Sequence, residues 1–327
     1  MKSSEQSKTD SCVLHVGIDV SKDTLAVYAE GLFEGDVPNT KKGIASLVRG
    51  IRRQIGRDRA VLFAFEETGS YSLPVHLELD RLHELACVLN PARVRHYAIA
   101  RGVMAKTDRV DARIIRHYAA ECGCEPTPIP SQTRLELRDM IRARNLLSKV
   151  RSMIMCLQTI TRQSTCRTIL GEVVRFVNAR IKKLEREMVM KAKQDASIHR
   201  VAEELDRLPG IAPLTAATIA TLVPELGTLG RRQAASIGGL APVARESGRF
   251  KGLRKIGGGR EELRRALYMP ALTAIRRDPE IKRFYERLVD GRKKKKKVAL
   301  TACMRKMLVH MDRVIGRLNA STGNPAL

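Results

Sequence analysis

Four acidic residues in the first third of the chain could do chemistry together. Asp19 ends the apolar run "HVGID", Glu66 ends "AVLFAFE", and Asp108 and Asp111 sit three apart in "KTDRVDAR". At that spacing two residues share one helix face. In an open α/β sheet, functional groups gather where strands end and helices begin, so acids from two strand ends and one helix can meet. Four crowded carboxylates raise one another's pKa unless cations lie between them. An all-oxygen ligand set suits Mg2+. Two such ions, about 4 Å apart, would hold the attacking and leaving oxygens of an in-line phosphoryl displacement. Each acid also has an ordinary reading: Asp19 as a turn residue, Asp108 as a helix N-cap, Asp111 as a carboxylate at the helix's positive end. Glu66 and Glu67 alternate sides if the strand continues, so only one of them points inward.

The elements that must position these acids read as α/β over residues 13–126. "VLHVGI" and "TLAVYAE" form adjacent strands joined by the tight "DVSKD" turn, "AVLFAFE" (60–66) is a third strand, and "ACVLN" (86–90) is a short buried one closed by Asn90-Pro91. "LPVHLELDRLHEL" is helical, with Leu73, Leu77, Leu82 and Leu85 near one face. "RVDARIIRHYAAEC" is a helix stopped by Gly123 and the proline-rich "EPTPIPS", which marks a domain boundary. The period then changes. Residues 127–198 read as an antiparallel helical hairpin: Leu135, Met140, Leu146, Leu147, Val150, Ile154, Leu157 and Ile160 recur at mostly helical spacing, and Val174, Val177, Ile181, Leu184 and Met188 step by 3, 4, 3 and 4 like a coiled-coil seam. Residues 199–327 are helical but broken by glycine. "LPGIAPLTAATIATL" (208–222) fits either a helix-hairpin-helix turn, whose backbone N–H groups approach a phosphate, or a plain inter-helix turn.

Charge narrows the partners. Lys and Arg number 60 against 35 Asp and Glu, a formal net charge of +25. That excess attracts polyanions over long range, nucleic acid first among them. No basic amphipathic helix carries a lipid-seeking aromatic face, which disfavours a membrane surface. No apolar run approaches the roughly 20 residues that span a bilayer, and "MKSSEQSKTDSC" lacks the apolar stretch of a signal peptide. Seven scattered cysteines, with no CxxC pair, point to reduced thiols and a cytoplasmic protein without structural zinc. The run Lys293 to Lys297 can neutralise several phosphates. No helix sets out Asn, Gln and Arg for reading base edges.

In order along the chain stand "GIDVSK", "FEETGSY", "NPARV", "KTDRVDA", "LPGIAPLTAA", "IGGLAPV", "ESG" and "LRRALYMPA". From about residue 14 to 310 this set resembles the transposases of bacterial insertion sequences related to the Piv/MooV DNA invertases, the bridge-RNA-guided recombinases. The resemblance implies a RuvC-like, RNase H-fold α/β domain with an Asp-Glu-Asp-Asp metal site, a helical coiled-coil insertion, and a mainly α C-terminal transposase domain with a nucleophilic serine. By motif the acids fall on Asp19, Glu66, Asp108 and Asp111, holding Mg2+, and the serine falls on Ser247. Glu67 stands where the family tends to have a small residue.

Around Ser247 the sequence reads "VARESGRFKGLRKIGGGR". A serine hydroxyl needs a lowered pKa or a proton acceptor before it attacks. Arg245, Arg249, Lys251, Arg254 and Lys255 supply cationic donors that can also grip a phosphate as charge builds on it. The same residues would serve a basic loop that only binds phosphate. The resemblance implies attack by Ser247 on DNA, a covalent phosphoserine, and rejoining after strand exchange. It also implies a guide RNA that chooses the donor and target DNA, and a dimer or tetramer with composite active sites. A RuvC-like junction nuclease using water would need the acids without Ser247, and a non-catalytic nucleic-acid-binding protein would need neither.

Overall fold

Strand β1 (Leu14–Val20) alternates Val16, Ile18 and Val20 on one face with Gly17 and Asp19 on the other. It pairs antiparallel with β2 (Thr24–Ala29), which pairs antiparallel with β3 (Phe33–Pro38). After α1 (Lys41–Ile55), strand β4 (Val61–Glu66) returns parallel to β1, and after α2 (Ser72–Arg81), β5 (Leu85–Leu89) lies parallel to β4. The sheet order is therefore β3-β2-β1-β4-β5. Helices α3 (Pro91–Ala100) and α4 (Asp108–Cys122) complete this unit.

The two faces of the sheet bury separate layers. Val16, Ile18, Phe63 and Phe65 pack with Ile44, Leu47 and Ile51 of α1 and with Val75 and Leu79 of α2. Leu62, Ala64, Cys87 and Leu89 pack with Val94 and Ala98 of α3 and with Ile114, Ile115 and Ala119 of α4. This computed structural model describes residues 13–69, 71–104, 107–243, 246–247, 250–251 and 254–322. Contacts divide the chain into two units, Met1–Ile129 and Pro130–Leu327.

Three elements of the first unit go beyond the sequence reading. In β3, "FEGDVP" is polar and turn-like, a composition suited to an edge strand that must resist pairing with other chains. Thr40 caps α1 by accepting from Gly43 N, and Ile44, Leu47, Val48 and Ile51 make its buried stripe. Asn90 caps α3, with Pro91 at its first position. The α2 reading needs correction. The helix ends at Arg81, His83 turns left-handed (φ 58°), and Leu85 belongs to β5. Its buried face is Val75, His76, Glu78 and Leu79, while Leu77 and Leu85 are exposed.

The second unit begins with α5 (Gln132–Ile160) and α6 (Ser164–Ala192), two 29-residue helices packed on each other. Along α6, Val177, Ile181 and Met188 are buried and Val174 and Leu184 half-buried, so the 3-4 seam is the face that packs. On α5 the buried positions are Arg134, Leu137 and Ile141, whereas Leu146, Leu157 and Ile160 of the read stripe face solvent. Leu137, Ile141, Met188 and Ala192 at the base of the hairpin join one core with the helices that follow. These are α7 (Ala196–Asp206), α8 (Pro213–Leu222), α9 (Arg231–Ile237), α10 (Glu261–Arg277), α11 (Pro279–Glu286) and α12 (Lys296–Thr322). Two arginines close the C-terminal end of α8. Buried Arg134 donates to Ala220 O and Thr221 O (2.6 and 2.9 Å), and Arg260 donates to Leu222 O (2.7 Å) while pairing with Glu225.

The basic, glycine-rich segment before α10 is hairpin rather than open loop. Strands β6 (Pro242–Val243) and β9 (Lys255–Ile256) form an antiparallel pair, as do β7 (Glu246–Ser247) and β8 (Phe250–Lys251). Among the described residues, no helix is long and apolar enough to cross a membrane.

Candidate active site

The parallel pairing of β1 with β4 sets the first two acids side by side. Ile18 is the partner of Phe65, so the next step along both strands pairs the positions of Asp19 and Glu66. Both project to the sheet face that carries Gly17, Leu62 and Ala64, the face covered by α4. Glu67, one residue on, is exposed, and its N–H donates to Leu89 O.

Helix α4 lies directly on β1, because Gly17 has no side chain. A Cβ there would stand 2.1 Å from Ala112 O and 2.6 Å from Arg116 N. Three arginines fix the direction in which the helix runs. In the row Asp19–Ala26–Asp36, Arg109 reaches Asp36 (3.7 Å). In the row Gly17–Tyr28–Glu34, Arg113 donates to Glu34 (2.6 Å) and lies 5.3 Å over the Tyr28 ring. Arg116 pairs with Glu30, further back again. The helix is thus antiparallel to β1, and its first turn, with Asp108 and Asp111, stands at the end of the sheet where Asp19 and Glu66 emerge.

That first turn is capped by Thr107, not by Asp108. The Thr107 hydroxyl accepts from Val110 N (3.3 Å) and its carbonyl accepts from Asp111 N (2.8 Å). Asp108 is already helical and exposed, and Asp111 is half-buried in the same turn. Both carboxylates therefore sit where the helix's unpaired N–H groups favour negative charge. Asp19, Glu66 and Asp111 each have interaction partners. Among the described residues, no three His, Cys, Asp or Glu side chains are grouped so as to hold a metal ion. The elements bring the acids to one edge of the sheet, but their side chains do not stand as a closed cage.

The rim of that edge holds residues that sequence patterning did not single out. Asn39 follows β3. Its amide donates to Ser21 O (2.8 Å) and Tyr71 O (3.5 Å), tying the loop after Asp19 to the one after Glu66. Asn39 Oδ1 and Thr68 Oγ1 are buried with no hydrogen-bond partner among the described residues, so two oxygen acceptors near the acids remain to be satisfied. His76, behind β4, meets Phe65 edge-on and contacts Thr127 O through Nε2 (3.0 Å); burial holds its pKa below the ordinary imidazole value. The arginine ladder had a readable signal in the 4- and 3-residue steps of Arg109, Arg113 and Arg116, but two of its acidic partners, Glu34 and Asp36, lay on an unrecognised edge strand.

The second group of candidate residues lies in the other unit. Ser247 is the last residue of β7 and pairs with Phe250, so it flanks the tip of the small hairpin. Arg245 and Arg249 lie outside the described residues. Lys251 is in β8, Arg254 directly precedes β9 and Lys255 opens it, both exposed, and Arg254 has a partner. Lys293 to Lys295 sit in the turn after a π-helical stretch, Arg287–Gly291, where Lys293 has φ 49°; Lys296 and Lys297 open α12. All five lysines are exposed.

Comparison with known proteins supplies an independent line. Residues 16–160 match a transposase family model of the DEDD, IS110 type, and residues 202–286 match the model described as Transposase IS116/IS110/IS902 family. The "Pilin gene-inverting protein" of Moraxella bovis is 25% identical over 306 residues, covering 90% of this chain and 93% of the relative. Its counterpart in Moraxella lacunata matches at the same identity and coverage.

Proposed function

We propose that the chain, whose residues 16–160 and 202–286 match transposase models of the IS110 and IS116/IS110/IS902 families, acts on DNA as a metal-dependent recombinase with a serine nucleophile. The observation that supports this most is the seating of α4 antiparallel on β1, which puts Asp108 and Asp111 at the end of the sheet that carries Asp19 and Glu66. The sheet order, with an antiparallel β1-β2-β3 meander and parallel β4 and β5, supports a RuvC-like reading of this unit.

In this reading Asp19, Glu66, Asp108 and Asp111 hold divalent cations. The all-oxygen donor set and the unsatisfied oxygens at the rim fit Mg2+. When bound, such ions neutralise charge building on a scissile phosphate. Ser247 Oγ attacks the phosphorus of one phosphodiester and gives up its proton. The new O–P bond replaces the bond to the departing strand end, which takes up a proton as a free hydroxyl. Arg245, Arg249, Lys251, Arg254 and Lys255 hold the non-bridging oxygens. A hydroxyl from the exchanged strand then attacks the phosphoserine, restoring the serine and rejoining the DNA without hydrolysis. A product with inverted DNA, as the relatives' name describes, needs this balance of breaking and rejoining.

The family resemblance supports an RNA guide as the source of sequence choice and a composite site assembled in a dimer or tetramer. Exposed apolar side chains along the α5–α6 hairpin, Leu157, Ile160, Ile169 and Phe176 among them, support self-association through it as a coiled coil. Protein, guide RNA and DNA incubated with Mg2+ should yield a denaturation-resistant protein–DNA adduct that Ser247→Ala abolishes, while Asp19→Ala or Asp111→Ala abolishes strand breakage altogether. Breakage without an adduct, or an adduct that survives Ser247→Ala, would assign the attack to water or to another residue.

A further inference from the structure

A cleft of about 560 Å³ lies in the second unit, walled by α11 and α12 and floored by the turn between α7 and α8. That volume is in the range of small-ligand sites. The floor is fixed. Gly210 (φ 86°) brings the turn so close to α10 that a Cβ would stand 3.0 Å from Ala274 N and 3.1 Å from Pro270 O. Arg305, Val309 and Arg313 follow one another at four-residue steps along α12, so a single helical stripe lines the wall. Phe284 of α11 lines the same cleft, with Lys306 5.1 Å and Arg287 5.3 Å from its ring centroid.

The charges in this cleft do not cancel. Asp278 is used as the N-cap of α11, accepting from Glu280 N (2.8 Å) and Ile281 N (3.2 Å). Glu280 is paired with Lys306 (2.6 Å), which holds its carboxyl below the usual range. Arg305 and Arg313 have no ion-pair partner among the described residues. Two unneutralised guanidinium groups on one stripe of a cleft that the half-buried Phe284 ring also lines make an anion site with an aromatic side chain in the same cleft. A positively charged groove with an aromatic platform is the arrangement that holds an unpaired polynucleotide strand.

We propose that this cleft seats one nucleotide of a single-stranded polynucleotide, the phosphates on either side of it on Arg305 and Arg313, about 12 Å apart along α12, and its base beside Phe284. A duplex keeps its bases stacked inside, and none would reach Phe284 without being flipped out. Guanidinium groups bind phosphate oxygens in paired, charge-assisted contacts. The inference depends on the proposed function only in taking the ligand to be a polynucleotide.

The test uses the full chain and oligonucleotides carrying 5-iodouracil, as single-stranded DNA, single-stranded RNA and blunt DNA duplex, cross-linked by near-ultraviolet light and mapped by mass spectrometry. A cross-link to the segment 278–287 is expected with a single strand and not with the duplex, and the DNA and RNA arms tell which strand occupies the cleft. Arg305→Gln with Arg313→Gln should lower that cross-link about tenfold through the lost phosphate contacts, while total binding, carried mostly by other cations, changes less. Arg313→Gln alone, at an exposed position, keeps the test open if the double variant unfolds. Cross-links confined to other segments, equal yield from the duplex, or a yield indifferent to the arginines would overturn the proposal. Cross-linking reads binding without cleavage, so it can fail while the Ser247 adduct forms, and the reverse.

Discussion

Gly17→Ala perturbs the contact that supports the acidic edge. The added Cβ would meet the Ala112 carbonyl at 2.1 Å, and both nearest atoms are backbone, so no side chain can swing away. Restoring an ordinary contact of 3.4 Å requires α4 to move off β1 by about 1.3 Å, taking Asp108 and Asp111 from Asp19 and Glu66. Overpacking of this kind costs about 1–3 kcal/mol of stability. A misplacement of about 1 Å at a reacting centre costs on the order of 100-fold in rate, or about 2.7 kcal/mol of barrier. Urea unfolding and Mg2+-dependent strand cleavage should be measured together, with Gly50→Ala as control. Gly50 lies inside α1, where a Cβ would meet nothing within 4 Å, so alanine there should add about 0.5–1 kcal/mol and leave cleavage unchanged. If Gly17→Ala cleaves at the wild-type rate, the catalytic acids are not those carried by the β1–α4 contact, and the site assignment fails.

Arg134→Met should destabilise the second unit by about 2 kcal/mol in urea unfolding, because two carbonyls at the end of α8 lose their donor. Arg134→Lys should recover only part, lacking the fork that spans both. Burial depresses the His76 pKa below 6.5, so its contribution to stability is full above that value and falls as pH drops through it toward the folded-state pKa. His76→Gln should flatten that slope in melts between about pH 7 and pH 5. Burial pushes the Glu225 carboxyl up, but the hydrogen bonds and charge of Arg260, with a backbone hydrogen bond and the charge of Arg138, together outweigh it and hold the pKa below the ordinary value of 4.5. That stability is present above the unfolded value and is lost as pH falls through the folded one, and Arg260→Gln should remove this acid limb. Replacing Lys293, Lys294 and Lys295 with alanine should reduce the salt slope of DNA binding by up to about 3, read from affinities across a salt series.

The parts of the fold legible in the sequence were those with a local cause. The 3-4 steps of Val174 to Met188 name a packing face because helical period alone decides which residues share it, and that face is the one buried against α5. The strand ends at Asp19 and Glu66 were legible because apolar runs stop there. The end of α2 was not: "RLHE" contains no glycine or proline, and the chain turns on His83 in a left-handed conformation. Strand β3 was hidden for the opposite reason, its glycine, aspartate and proline reading as turn while its pairing with β2 holds it in the sheet. On α5 the apolar spacing overstated burial, because one helical partner covers only part of a 29-residue helix.

Sequence by itself determined the charge, the acidic and serine-bearing motifs, and their match to transposase family models, since these depend on residue identity and order. The relation among the acids was decided only in three dimensions. Asp19 and Glu66 become neighbours through strand register. Asp108 and Asp111 join their edge because a glycine 91 positions before Asp108 lets α4 touch the sheet, and because three arginines find acids on β3 and the turn that precedes it. Such contacts arise from packing between distant segments, whose mutual direction no local pattern of residues encodes.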